Sequence, residues 1–128
     1  MGATRDVALN ELPFRGLSIN STGAGATVNI VASDSGVIFI NKYVAGDCTY
    51  NLPSVADGKG KMFWFFQAQN SMNMIIAAPA NTMFMADDLA ATTANDKGTA
   101  IECGDSAMVI GDGTSYYFFE IYGAWDNA

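Results

Sequence analysis

The sequence predicts an all-β fold, an antiparallel sandwich or jelly roll of about eight short strands with an extended N-terminal arm. Three observations predict it. Residues that favour strands, the β-branched and aromatic types, concentrate in short runs. Turn sequences rich in Gly, Asp and Ser separate these runs at a spacing typical of sandwiches and barrels. No segment of normal helix length is visible.

The predicted strands follow one another along most of the chain. They occupy residues 27–32, 37–43, 47–52, 61–68, 73–78, 98–103, 106–110 and 115–122. Gly and Asp dominate the turns between them because they tolerate positive φ or bond their own backbone. Residues 111–113 are expected to form a hairpin turn. The Ala-rich segment 85–95 is expected to be a loop with one helical turn at most, and the sequence shows no internal repeat.

The first 26 residues differ from the rest in composition, which divides the chain into an arm and connector (1–26) and a sandwich domain (27–128). Residues 18–26 are Ser, Asn, Gly and Ala, as in a flexible connector. The arm itself is too apolar for an idle tail. We expect it to order against a neighbouring subunit or another protein surface through Val7, Leu9, Leu12 and Phe14.

Two predicted strands, 61–68 and 115–122, carry large apolar side chains on both faces. Successive side chains of a strand point to opposite sides, so one domain core covers only one face of each. We expect a second copy of the chain to cover the other face, and either face is apolar enough to be the inner one. We assign to this subunit interface Phe63, Phe65, Tyr117 and Phe119, with Met83 and Met85 in an exposed interface loop.

Composition narrows the possible functions. The chain has 128 residues, enough for one domain, and only 15% of them are charged, which suits a protein that hides surface in partners. A net charge of −7 with six scattered Lys and Arg argues against nucleic-acid binding. No segment has the length and apolarity of a membrane span or a secretory signal, so we expect neither membrane association nor export. Cys48 and Cys103 are then expected to be reduced, buried thiols.

Catalytic chemistry has few candidate residues. The chain has no histidine, which removes the commonest general base and the commonest metal ligand. Facing carboxylates could support glycoside hydrolysis, but the sequence places no two acids across a cleft. No calcium-binding spacing is present around Asp34, Asp57, Asp87 or Asp88. We therefore expect no catalytic, cofactor or metal site, and a protein that is not an enzyme.

The excess of aromatic residues leaves three interpretations: a ligand cavity, a sugar-stacking surface or a subunit interface. A sugar platform would place aromatic rings in loops, whereas these rings lie within strands. Left exposed, they would form a larger apolar patch than a monomer tolerates. The pattern therefore favours an interface.

Several strand motifs follow one another in a distinctive order. A strand opening on Ser and Gly precedes one that ends in Leu-Pro, and an aromatic strand preceded by Gly follows. The segments concerned are Ser33-Asp-Ser-Gly-Val-Ile-Phe-Ile-Asn41, Cys48-Thr-Tyr-Asn-Leu-Pro53, Gly60-Lys-Met-Phe-Trp-Phe-Phe66, Gly98-Thr-Ala-Ile-Glu-Cys103, Ala107-Met-Val-Ile-Gly-Asp-Gly113 and Tyr116-Tyr-Phe-Phe119. Over about residues 27–123 this order resembles a β-module common in virion proteins of tailed bacteriophages. The chain departs from the pattern where the last strand often carries Trp, since Tyr116 or Tyr117 stands there.

The resemblance implies a non-enzymatic structural role in a head-decoration (cement) protein or in a tail fibre. The expected protein is a homotrimeric decoration protein, made in the host cytoplasm, that binds the major capsid protein on the virion head and stabilises the shell. The arm residues Val7, Leu9, Leu12 and Phe14 are the expected capsid contacts. The alternatives are a tail-fibre or receptor-binding component and a ligand-binding β-module.

Overall fold

The computed structural model describes residues 6–9, 13–21, 27–85, 88–96 and 103–126. Twelve strands and one short 3-10 turn, Ala32–Asp34, lie in these ranges. The strands are β1 Gly16–Asn20, β2 Thr27–Asn29, β3 Val37–Asn41, β4 Cys48–Asn51, β5 Met62–Gln67, β6 Met74–Ala77, β7 Met83–Met85, β8 Asp88–Ala91, β9 Thr93–Asp96, β10 Ser106–Gly111, β11 Tyr116–Tyr122 and β12 Trp125–Asp126.

The strands form two sheets that face each other, which confirms the all-β sandwich. The seven-stranded sheet has the order β1-β3-β5-β10-β11-β7-β8, and the five-stranded sheet has the order β12-β9-β6-β4-β2. The expectation of purely antiparallel sheets is wrong. β1, β3 and β5 pair in parallel, as do β2, β4 and β6. β5, β10 and β11 pair antiparallel.

The parallel pairs among β1 to β6 come from three stacked coils of chain. β1 to β6 alternate between the two sheets. From β3 to β6, each strand pairs with the one two places earlier in the chain. The chain therefore contains an internal structural repeat, contrary to the sequence prediction. Leu17, Ile38 and Trp64 occupy equivalent positions, and their numbers show that the second coil is longer than the first. This unequal spacing hides the repeat in the sequence.

The stack of coils has one covered end and one open end. At the third coil, β10 pairs with β5 and β9 pairs with β6, both antiparallel. At the first coil, β1 and β2 are the edge strands of their sheets. Within the described ranges, the first coil is therefore the open end.

Aromatic side chains join the two sheets in the core. Phe39 and Phe65 of the seven-stranded sheet stack with 5.7 Å between ring centroids, and each lies 5.7 Å from Tyr50 of the other sheet. Phe118 and Trp125 meet edge-on at 5.3 Å. These rings are buried and belong to one continuous core cluster.

Amide side chains form a buried ladder at the end of that core. Asn20, Asn41 and Gln67 are register neighbours on β1, β3 and β5, and all three are buried. Asn41 Nδ2 donates to Gln67 Oε1 at 2.8 Å, and Gln67 Nε2 donates to the Met72 carbonyl at 3.0 Å. Asn20 Nδ2 contacts Cys48 Sγ at 3.0 Å. These bonds offset the cost of burying polar groups.

Seven of the eight predicted strands contain or overlap an observed strand. The eighth, 98–103, lies outside the described residues except for Cys103, which begins a turn. The prediction of a loop at 85–95 is wrong, because β8 and β9 lie there. Ala91 and Ala94 are buried in these strands, so their small side chains fit a packed position that residue propensity alone does not show.

The predicted boundary between arm and domain also differs from the structure. The sequence prediction includes residues 16–20 in the arm and connector, yet they form β1 and pair with β3 over its full length. Strand formation there depends on a partner in a distant segment, which local composition does not indicate. Of the connector, residues 22–26 lie outside the described residues.

Candidate interaction surface

The inner and outer faces of β5 are the reverse of those predicted. Phe63 and Phe65 point into the core and are buried, whereas Trp64 is half-buried and Phe66 is exposed. The assignment of Phe63 and Phe65 to a subunit interface is therefore wrong. Both faces of this strand are apolar, so the period-two pattern does not distinguish them; packing of Phe65 against Phe39 and Tyr50 does.

The two methionines assigned to an exposed loop are also in the core. Met83 and Met85 lie on β7, which pairs with β11 and β8, and both are buried. Their interface assignment is wrong because Met83-Phe84-Met85 is a strand whose first and last residues face the core. Phe84, between them, points to the other side.

Tyr117 and Phe119 do lie on an exposed face of the sandwich. On β11, Tyr116 and Phe118 are buried, and the residues that alternate with them point outward. That Tyr117 and Phe119 contact another subunit stays a prediction.

The outer face of the seven-stranded sheet is apolar across five strands. Register places one residue from each of β1, β3, β5, β10 and β11 in a continuous row, and a second row crosses three strands beside it. The first row is Leu17, Ile38, Trp64, Met108 and Phe119, and the second is Ile19, Ile40 and Phe66.

The most exposed apolar residues at the two sides of this face form two groups. We define the edge cluster as Leu17 and Ile19 on β1, which are 63% and 55% exposed. We define the β11 cluster as the apolar residues exposed on that strand. Its members are Tyr117, Phe119, Ile121 and Tyr122, and a bulge at Ile121 brings Tyr122 opposite Ser106, in register with Phe66 of the second row. At about 150–250 Å2 for a large side chain, the exposed fractions amount to roughly 200 Å2 for the edge cluster and roughly 400 Å2 for the β11 cluster.

Residues 13–15 of the arm lie over the middle of this face. The Phe14 ring packs on Trp64 with 5.1 Å between centroids, and Trp64 Nε1 donates to the Pro13 carbonyl at 3.1 Å. The Arg15 backbone N–H donates to the Gly36 carbonyl at 2.8 Å. Phe14 thus contacts its own chain, yet its side chain remains 61% exposed.

The other arm residues expected to bind a capsid are Val7, Leu9 and Leu12. Val7 is half-buried and Leu9 is exposed. Leu12 lies outside the described residues. Binding of the arm to a capsid stays a prediction for all four residues.

Tyr117 is held in place by neighbours on both sides. Its ring stacks on Phe84 at 5.4 Å, and its hydroxyl donates to Asp112 Oδ2 at 2.6 Å. Asp112 lies in the predicted hairpin turn between β10 and β11, where Gly113 adopts a φ of 95°. Asp112 Oδ1 accepts from the backbone N–H groups of Thr114 and Ser115 at 2.8 and 2.7 Å.

These contacts shift both acid–base equilibria. The bond from Tyr117, followed by those from the Ser115 and Thr114 backbone, lowers the pKa of Asp112 because all of them stabilise the carboxylate. The bond to Asp112 raises the pKa of Tyr117, because it favours the protonated phenol. The pair therefore fixes the orientation of Tyr117 at neutral pH.

The outer face of the five-stranded sheet is different in chemistry. Thr27 and Asn29 on β2 lie beside Thr49 and Asn51 on β4, and Asn51 Nδ2 donates to Asn29 Oδ1 at 3.0 Å. Ile75, Ala77 and Thr93 continue this face. It is a mostly polar surface of the kind that water covers.

Two kinds of side chain bear on possible site chemistry: metal ligands and cysteine thiols. Among the described residues, no group of three or more His, Cys, Asp or Glu side chains could hold a metal ion. Cys48 is buried, and burial raises the pKa of its thiol. Cys103 is exposed in a turn, so the expectation that both thiols are buried is wrong for Cys103. Each cysteine is a free thiol.

In the described ranges, no helix is long and apolar enough to cross a membrane.

Sequence reasoning missed several members of the outer face. Trp64 and Phe66 lie on the alternative face of a strand whose two faces look equal in sequence. Leu17 and Ile19 alternate with Ser18, and this period-two pattern was the available signal for a half-exposed strand.

No protein-family model matches the chain, and no curated protein sequence matches it significantly. The fold and this surface are therefore the observations that bear on the class of protein.

Proposed function

We propose that the chain is a structural assembly protein. More particularly, we propose a head-decoration (cement) protein of a tailed bacteriophage, which forms a homotrimer and binds the major capsid protein on the assembled head. The observation that carries the proposal is the apolar outer face of the seven-stranded sheet.

The size of that face supports an assembly role. Its exposed apolar residues amount to roughly 600 Å2 in the two clusters, before Phe14 and Phe66 are included. The largest apolar patch of an ordinary monomer is about 300–600 Å2 and is often functional. The two clusters together reach the upper end of that range, which supports burial against another protein.

The phage role rests on the resemblance of the strand motifs and is consistent with the fold around them. The segments that carry the resemblance include β3, β4, β5, β10 and β11, which form much of the sandwich. Mechanically, the protein would bridge neighbouring capsid subunits through apolar contacts. Such contacts oppose their separation because exposing apolar surface to water costs free energy.

Co-sedimentation tests the proposal. Purified protein is mixed with assembled, undecorated phage heads or with unassembled coat protein. We expect binding to the heads and at least tenfold weaker binding to free coat protein. Binding to neither, or equal binding to both, would contradict a decoration role.

A truncated protein tests the contribution of the arm. Deleting residues 1–12 removes Val7, Leu9 and Leu12 but retains the Pro13 carbonyl, Phe14 and β1. We expect at least a tenfold loss of head binding with no change in oligomer mass. The matched control is Thr27→Ser with Thr93→Ser, on the polar face. Full head binding by the truncated protein would eliminate Val7, Leu9 and Leu12 as capsid contacts.

One observation favours a second candidate, a tail-fibre or receptor-binding component. Three stacked parallel coils with an open first coil are the kind of unit that repeat proteins extend into long shafts. A fibre component would adhere to host cells or glycans. Binding on a glycan array, without binding to heads, would favour this candidate over decoration.

A further inference from the structure

We propose that the copies of this chain associate head to tail in a closed ring of three, with the edge cluster of one copy packed against the β11 cluster of the next. The inference deepens the proposed function by naming the surface that joins the copies, and it rests on that proposal for the number three. The occupant of the exposed apolar face is thus a second copy of the chain.

The position of the arm argues against flat packing of one sheet on another. Phe14 stands on Trp64, in the middle of the face, and the hydrogen bond from Trp64 to the Pro13 carbonyl holds that segment down. The edge cluster lies on one side of this ridge and the β11 cluster on the other. They are four strands apart, roughly 19 Å at the usual spacing of about 4.8 Å.

The edge at β1 lacks the features by which proteins protect exposed strands. Charged residues, prolines, bulges and very short strands are the usual protection. At the other edge of the same sheet, β8 carries Asp88 and pairs irregularly with β7. The five-stranded sheet ends in β12, which has two residues, one of them Asp126. β1 has five residues without charge, proline or bulge, and β3 is the one strand that pairs with it in the described ranges.

The areas of the two clusters favour their pairing with each other. A head-to-tail contact buries roughly 200 Å2 of one copy and roughly 400 Å2 of the next, most of it apolar. Since apolar atoms make up about 57% of an ordinary interface, the whole contact would bury about 1,000 Å2. That reaches the threshold for a specific interface.

A closed ring covers every exposed cluster with one kind of contact. A twofold pair that joined two edge clusters would leave both β11 clusters in water, and the reverse pairing would leave both edge clusters there. Head-to-tail contacts either close into a ring or continue as a filament. The ring covers both clusters of each copy.

The β11 cluster is also prepared for binding before the partner arrives. Tyr117 is stacked on Phe84 and hydrogen-bonded to Asp112, so its ring loses little freedom on association. Rigid aromatic side chains in such positions are typical anchors of protein interfaces.

Complementation between two variants tests the inference. The edge variant is Leu17→Thr with Ile19→Thr, and the β11 variant is Phe119→Thr with Ile121→Thr; Thr is polar but retains strand propensity. Light scattering during size-exclusion chromatography gives the masses. Wild type should have three times the chain mass of 13.5 kDa. The polar-face control Thr27→Ser with Thr93→Ser should match it.

Each variant alone should be a 13.5 kDa monomer, because every contact lacks one cluster. An equal mixture should form a pair with twice the chain mass, because the intact β11 cluster of the edge variant meets the intact edge cluster of the other. Circular dichroism confirms that each variant is folded. If either double variant is unfolded, Ile19→Lys and Phe119→Lys replace them.

Four results would overturn the inference: a monomeric wild type, a wild-type dimer, a wild-type mass in either variant, or a mixture that stays monomeric. Head binding of the wild type is measured separately. A ring of three that does not bind heads leaves this inference intact and eliminates decoration. A monomer that binds heads overturns this inference and leaves the proposed head binding intact.

Discussion

The two outer faces of the sandwich cover the same core but differ in chemistry. On the seven-stranded sheet the outward row runs through Leu17, Trp64 and Phe119, whereas on the five-stranded sheet it begins with Thr27 and Thr49. Both sheets bury their inner faces in one cluster, so the sandwich needs no second apolar face in order to fold. The fold therefore does not require an apolar outer face. We propose that association with another protein does.

The largest expected effect separates the inner and outer faces of β5. Phe65→Ala should lower the free energy of unfolding by about 3–5 kcal/mol, because it leaves a cavity beside Phe39 and Tyr50. Phe66→Ala, one residue away and 37% exposed, should lower it by only about 1–2 kcal/mol in the monomer, because part of the ring is already in water and no core cavity forms. Urea unfolding at low protein concentration measures both. Equal losses would show that the two faces are not divided as described.

A smaller effect concerns the aromatic contact on the outer face. Phe14→Ala should remove about 0.5–1.5 kcal/mol of stability, because it abolishes the packing on Trp64. It should also shift tryptophan emission to longer wavelength, since Trp64 becomes more hydrated while Trp125 stays buried. Leu9→Ala is the matched control in the arm. Unchanged emission in Phe14→Ala would contradict the contact.

The smallest expected effect is the pH dependence of the hydrogen bond between Tyr117 and Asp112. The pKa of Asp112 is below its ordinary value of 3.8 in the folded protein, so its contribution is present above that pH and is lost as the pH falls through the folded pKa. The pKa of Tyr117 is raised above 10.0, so its contribution is present below that pH and is lost as the pH rises through the folded pKa.

Tyr117→Phe removes this bond while it retains the ring. Its unfolding midpoint should therefore fall slightly below that of wild type at neutral pH and converge with it at strongly acidic and strongly alkaline pH. Phe84→Leu, which alters the stacking but retains the hydrogen bond, should show no such convergence. A constant difference across the pH range for Tyr117→Phe would eliminate the bond as its cause.

The positions of most strands were predictable from the sequence, but the pairing of strands in the sheets was not. Runs such as 37–43 and 106–110 carry the β-branched residues and bounding turns that local chemistry requires of a strand. β1 carries only the short alternation of Leu17 and Ile19 around Ser18, and β9 carries a single β-branched residue. Both form strands when a distant partner supplies the hydrogen bonds. The parallel stacking of the coils was not predicted, because coils of unequal length do not align as a sequence repeat.

The interaction surface was predictable in kind but only partly in its residues. The excess of apolar side chains on β5 and β11 correctly indicated that one core does not cover both faces. Tyr117 and Phe119 lie on an exposed face as predicted, whereas Phe63 and Phe65 do not. Alternating polar residues indicate which side of a strand is buried. A strand with apolar residues on both sides carries no such indication.

Residue types and local spacing were enough to establish that this protein is all-β, that two of its strands are apolar on both faces, and that histidine chemistry is absent. These properties are present in the chain before it folds. Tertiary packing was needed to decide which face is outside, because that choice depends on register. Through the parallel pairing of β1, β3 and β5, register joins Leu17, Ile38 and Trp64 from distant segments into one surface.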